Sequence, residues 1–163
     1  MLWHWWLAIA VAAILVVGLA IVLRPLRAAW RQARFDQARR EFHFQRERLE
    51  AKFVQLGLSS TQTNAPRWVD CTFDDDVAYA RSRSTGELSA FVGVRLEMDF
   101  SPERDLVAGE GIGQFRAGTA VFRFHRSHWQ TDGHAIFNLS PTEAIRFYQR
   151  DLEMVGREVV EHL

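Results

Sequence analysis

The sequence predicts an α+β protein on a membrane anchor: an N-terminal transmembrane helix, a long basic amphipathic helix, then an antiparallel sheet of about five strands with a C-terminal helix packed on one face. Three observations predict it. Residues 2–23 contain no Lys, Arg, Asp or Glu. Residues 24–57 repeat their apolar side chains at helical spacing. From residue 67 the period becomes two, until Ser140-Pro141-Thr142-Glu143 signals a last helix. The expected divisions are residues 1–23 as anchor, 24–57 as juxtamembrane helix, 58–66 as linker and 67–163 as an α+β domain in the cytoplasm.

The first segment is long enough to span. As a helix, residues 2–23 extend about 33 Å, against a bilayer core of about 30 Å. A cleaved signal peptide opens on a positive n-region and has a shorter apolar core of about 7–15 residues, and this segment has neither. Trp3, Trp5 and Trp6 suit the headgroup zone, where an indole keeps its ring in apolar surroundings and its N–H wet. No basic side chain precedes the span, and Arg24, Arg27, Arg31 and Arg34 follow it. Basic residues stay cytoplasmic, so the expected topology is N-terminus out, with the remainder of the chain inside.

Net charge is zero over the 163 residues but unevenly placed. Residues 24–57 hold nine basic and four acidic side chains, and residues 58–163 carry the opposite imbalance. Pro25 suits a first helical turn or a kink, and Gly57 suits a stop. On a helical projection Phe35, Ala38, Phe42, Leu49, Phe53 and Leu56 form one apolar stripe. Three uses of that stripe compete: packing on the chain's own C-terminal domain or on a partner, a weak parallel coiled coil with a second copy, or lying along the lipid surface. The second is weakened by the complementary seam positions, which are mostly polar. The arginines circle the helix instead of forming a stripe, and the following domain is acidic, which argues against nucleic acid as a partner. Glu41, Glu47 and Glu50 offer those arginines neighbours at helical spacing.

The C-terminal domain reads strand by strand. Residues 67–73 alternate, with Val69, Cys71 and Phe73 on one side and Trp68, Asp70 and Thr72 on the other. Residues 77–83 and 88–100 flank a turn containing Gly86 and form a hairpin. In the second of these, Leu88, Ala90, Val92, Val94, Leu96, Met98 and Phe100 share a face, opposite Phe91 and Gly93. After a loop over residues 101–113, residues 114–139 supply two more strands, turning at His125-Arg126-Ser127-His128, with a bulge or second turn at Asp132-Gly133. The capping box at Ser140 starts a helix that places Ile145, Tyr148, Leu152, Val155 and Val159 on one face. Phe91, Val121 and Trp68 leave the other sheet face partly apolar, to be covered by the basic helix or a partner.

No residue set dictates a reaction. Asp74-Asp75-Asp76 has oxygen ligands for a divalent cation, but three successive carboxylates do not converge unaided, and Asp is favoured in turns. His125, His128 and His134 lack zinc-ligand spacing, and His4, His43 and His162 add none. Gly109–Gly113 (GEGIG) lacks the third glycine and the following helix of a phosphate loop. Cys71, on an apolar strand face, reads as a small buried hydrophobe, and as the single cysteine it leaves no internal disulfide. No cofactor or metal is expected. The chain therefore reads as a non-enzymatic interaction module tethered at the cytoplasmic membrane face, its partners being the bilayer and an unknown protein or a second copy engaged through the basic helix. The alternative is a small-ligand-binding or enzymatic domain whose pocket lies between sheet and helix, lined by Asp70, Asp74, Arg95, Arg123, His125 or His134.

Overall fold

The computed structural model describes residues 2–59, 67–99 and 114–159. One long helix, α1 (Leu2–Ser59), is followed by β1 (Arg67–Ser82), β2 (Leu88–Asp99), β3 (Gln114–His125), β4 (His128–Gln130), β5 (Ala135–Phe137), α2 (Pro141–Phe147) and β6 (Leu152–Glu158). This is the expected α+β arrangement of a long N-terminal helix, an antiparallel sheet and a short C-terminal helix. Most of the linker, residues 60–66, and the loop over residues 100–113, which includes Phe100 and GEGIG, lie outside the described residues.

The chain forms two compact units, Met1–Arg40 and Glu41–Leu163. In the first, α1 is apolar enough along its early turns to cross a membrane, and Pro25 falls inside the helix. Ile14, Leu15, Val16 and Val17 are exposed there, whereas Phe35 and Ala38 near the unit's end are buried.

In the second unit, residues 41–59 of α1 are a core element. Phe42 and Phe53 are fully buried and Leu49 nearly so. Phe42 meets Tyr79, Phe122 and Trp129 with ring centroids 6.1, 5.6 and 4.9 Å away. Phe53 meets Trp68, Phe73 and Phe122 at 5.6, 5.6 and 6.0 Å. Trp68 closes over Gly57, where any Cβ would collide with the indole, and α1 continues past Gly57 to Ser59. Of the three uses the stripe allowed, the structure has Phe42 and Phe53 packed on their own sheet.

The strands are ordered β4-β3-β2-β1-β6, with β5 also pairing to β3, and every pairing is antiparallel. The rich face of β2 (Ala90, Val92, Val94, Leu96) is buried, and the register places Ala90 between Tyr79 and Phe122, both under α1. Ala78, Ala80, Phe91 and Val121 form the opposite core with Ala144 and Ile145 of α2. The two covers are thus exchanged relative to the sequence reading. The short α2 needs only a small patch of apolar surface, and the longer stripe of α1 takes the larger face.

Three local departures have identifiable causes. First, the C-terminal helix stops at Phe147, and residues 152–158 become an edge strand on β1 instead of continuing the helix through Val159. Gly156 and the β-branched Val155 and Val159 weaken a helix, and without β6 the backbone groups of β1 would lack ladder partners. Leu152 reaches the core all the same, from a strand. Second, Asp74–Asp76 is not a turn between two strands. Phe73 pairs with Val94 and Val77 with Val92, so three aspartates oppose the single residue Gly93 as a bulge inside one long strand. Third, a shift between Trp68 and Asp70 turns Trp68 onto the α1 face and leaves Val69 exposed. The turn at Arg126-Ser127 is as expected, a two-residue hairpin with both φ angles positive, at 46° and 71°.

Candidate functional site

Among the described residues a concavity lies where the β1 bulge faces the start of α2. It encloses about 480 Å³ and is lined by Phe73 to Ala78, Gly93, Ser140, Pro141, Thr142 and Arg157. The bulge explains its floor. Gly93 has no Cβ, and the Asp74 carboxylate occupies the space one would fill. A glycine inside a strand commonly marks such a close approach.

A bulge leaves carbonyls out of the ladder, and these need partners. Arg46 of α1 supplies them: its Nη2 donates to the Asp74 carbonyl at 2.6 Å and its Nη1 to the Asp75 carbonyl at 3.5 Å. Its Nε donates to Glu50 at 2.7 Å, one helical turn on, which holds the guanidinium in place. Arg157 of β6 donates to the Asp76 carboxylate at 3.2 Å. The aspartates are therefore held by two arginines from neighbouring elements. Among the described residues no group of three or more His, Cys, Asp or Glu is arranged to hold a metal.

The rim is fixed by the capping box. Ser140 N–H and Oγ both donate to the Glu143 carboxylate, at 2.9 and 2.7 Å, and the Glu143 N–H is directed at Ser140 Oγ. Those side-chain and backbone hydrogen bonds from Ser140, with a smaller contribution from Arg146, lower the Glu143 pKa. Cys71 moves the other way. Burial, then the charges of Asp70 and Glu50, push its thiol up to about 12, so it stays protonated and is a poor nucleophile near neutral pH.

The six polar residues suggested for a pocket are not gathered in one place. Asp74 lines the cleft. Asp70 is exposed and accepts from the Cys71 N–H at 2.8 Å. Arg95 is exposed opposite Thr72. Arg123 pairs with Asp132 at 3.5 Å, and His125 Nδ1 meets Glu87 at 2.7 Å. His134 is exposed on the segment between β4 and β5. Of the membrane-interface set, Trp5, Trp6, Arg24, Arg31 and Arg34 are exposed on α1, and the side chains of Trp3 and Arg27 lie outside the described residues. Leu56 is half-buried. Sequence reasoning missed Arg46 and Arg157 as bulge clamps. Only the i,i+4 spacing of Arg46 and Glu50 and the odd Gly93 hinted at them.

Compared with known proteins, the chain matches no protein family, no curated protein and no solved structure.

Proposed function

We propose that this chain is a single-pass membrane protein with its N-terminus outside, and that its C-terminal domain works as a non-enzymatic interaction module held at the cytoplasmic face. The observation that carries the reading is the first part of α1. Ile9, Val11, Ile14, Leu15, Val16, Val17, Leu19 and Ile21 are each more than half exposed, in a stretch without a single charge. Each such side chain gains about 1.5–3 kcal/mol on leaving water, which a bilayer supplies and water cannot. The arginines that follow support the inward direction of the domain. Phe42, Leu49 and Phe53 already serve the chain's own core, so a protein partner meets other surface, such as the outward side of α1 that carries Phe44 at 90% exposure. The test is alkaline extraction of membranes holding the full chain and a chain lacking residues 2–23. The full chain stays in the pellet and the shortened one is released; release of both refutes the anchor.

A second reading, a small polar ligand held between sheet and helix, is favoured by the cleft beside Asp74, whose volume falls in the range of ligand sites. It requires that some small cationic or hydroxyl-rich compound raise the melting temperature of the full chain and not of Asp74→Asn. A broad panel without such a compound removes it.

A further inference from the structure

Three connections meet at one end of the sheet. The β1–β2 turn and the α2–β6 connection are joined there, because the Arg83 N–H donates to the Asp151 carbonyl at 2.8 Å and Arg83 Nε to the Gln149 carbonyl at 3.2 Å. The β3–β4 turn lies beside them, since His125 reaches Glu87 at 2.7 Å. Strand spacing of about 4.8 Å sets this edge at roughly 19 Å from β4 to β6. It carries Arg83, Arg126, Arg146 and Arg150, all exposed, against Asp151, Glu153 and the histidine-paired Glu87. Beside the last two arginines stand Phe147, 70% exposed, and Tyr148, 41% exposed, their rings in edge contact at 5.1 Å.

Exposed aromatic rings flanked by arginines complement the boundary between anionic headgroups and acyl chains. The direction of the domain's own helix singles out this edge. α1 crosses the sheet from Phe42, near Tyr79 and Trp129, to Phe53, over Trp68 and Phe73. Within the second unit α1 therefore begins at the same end that carries the arginines and the aromatic pair. We infer that this edge is a second, reversible membrane contact, which seats the domain on an anionic bilayer through Phe147 and Tyr148 with Arg83, Arg126, Arg146 and Arg150 around them. The inference rests on the anchored reading above.

The test uses the full chain in lipid nanodiscs, with Cys71→Ala and a polarity-sensitive fluorophore on Tyr148→Cys. In phosphatidylcholine discs containing phosphatidylserine the emission shifts to the blue, and in phosphatidylcholine alone it does not. Replacing Arg83, Arg126 and Arg150 together by Gln abolishes the shift. Each arginine removed lowers the docked-to-free ratio about fivefold, and the three together lower it roughly a hundredfold. The same probe on Thr72→Cys, an exposed site on β1 away from this edge, stays unshifted. Equal emission in both lipids, an unchanged triple variant, or an equal shift at Thr72→Cys overturns the inference while leaving the anchor intact. A chain that elutes without discs overturns the anchor, and this contact with it.

Discussion

Replacing Phe42 by Ala tests whether the basic helix belongs to the core of its own domain. Phe42 is fully buried and holds three aromatic partners, Tyr79, Phe122 and Trp129. A buried Phe→Ala change costs about 3–5 kcal/mol in lost transfer energy and residual cavity. The upper half applies here, because edge contacts between rings add about 0.5–1.5 kcal/mol beyond burial and all three are lost together. For a unit of this size the melting temperature falls by roughly 10–20 °C. Phe44, two residues away on the opposite side of the helix, is 90% exposed, and its replacement by Ala stays within about 0.5 kcal/mol. The assay is thermal unfolding of the full chain in detergent micelles, followed by near-ultraviolet circular dichroism. A stripe that served a second copy or the lipid surface would leave the sheet's unfolding untouched by either change. Similar melting temperatures for Phe42→Ala and Phe44→Ala would refute the packing.

Further outcomes follow from the clamps and the cap. Arg46→Ala removes the donor to the Asp74 and Asp75 carbonyls and costs about 0.5–1.5 kcal/mol by denaturant midpoint, whereas Arg48→Ala, on the exposed side, stays within about 0.5 kcal/mol. Ser140→Ala costs about 1 kcal/mol at neutral pH through loss of the cap. Glu143 is held below its usual value of 4.5 in the folded chain, so its contribution is complete above that pH and disappears as pH falls through the lower folded value. The stability gap between wild type and Ser140→Ala accordingly narrows in acid, and a gap that widens there would exclude the Glu143 linkage. Cys71, with its thiol pushed up to about 12 from 9.0, reacts with a maleimide at pH 8 roughly a hundredfold or more slower in the folded chain than in denaturant; equal rates would show that burial does not protect it.

Much of the fold was legible where a single period ran undisturbed. The uncharged run over residues 2–23, the alternation of β2, the Ser140 capping box and the turn at Arg126-Ser127 are local patterns, and they appear as a helix, a strand, a helix start and a two-residue turn. The misses all depend on non-local partners. β6 forms because β1 has backbone groups to pair; Val155 and Gly156 weaken a helix there but do not by themselves specify a strand. Trp68 changes face because a bulge shifts the period by one, and a one-residue slip inverts every side chain beyond it. The exchange of sheet covers was hidden for a related reason: the pattern of β2 distinguishes its richer face but not which helix takes it. Of the cleft, Asp74 was legible as an acidic residue of interest. The roles of Arg46, Gly93 and Arg157 were not, because what they hold is a backbone irregularity.

The claim on which the functional reading depends is that the uncut apolar helix leaves the domain inside the cell. Ser84→Cys, in the exposed β1–β2 turn, supplies a reactive thiol where Cys71 does not, and Cys71→Ala removes the remaining background. Intact cells are treated with a membrane-impermeant maleimide, before and after permeabilisation. With the domain inside, residue 84 is labelled only once the membrane is opened. Full labelling of intact cells would contradict it.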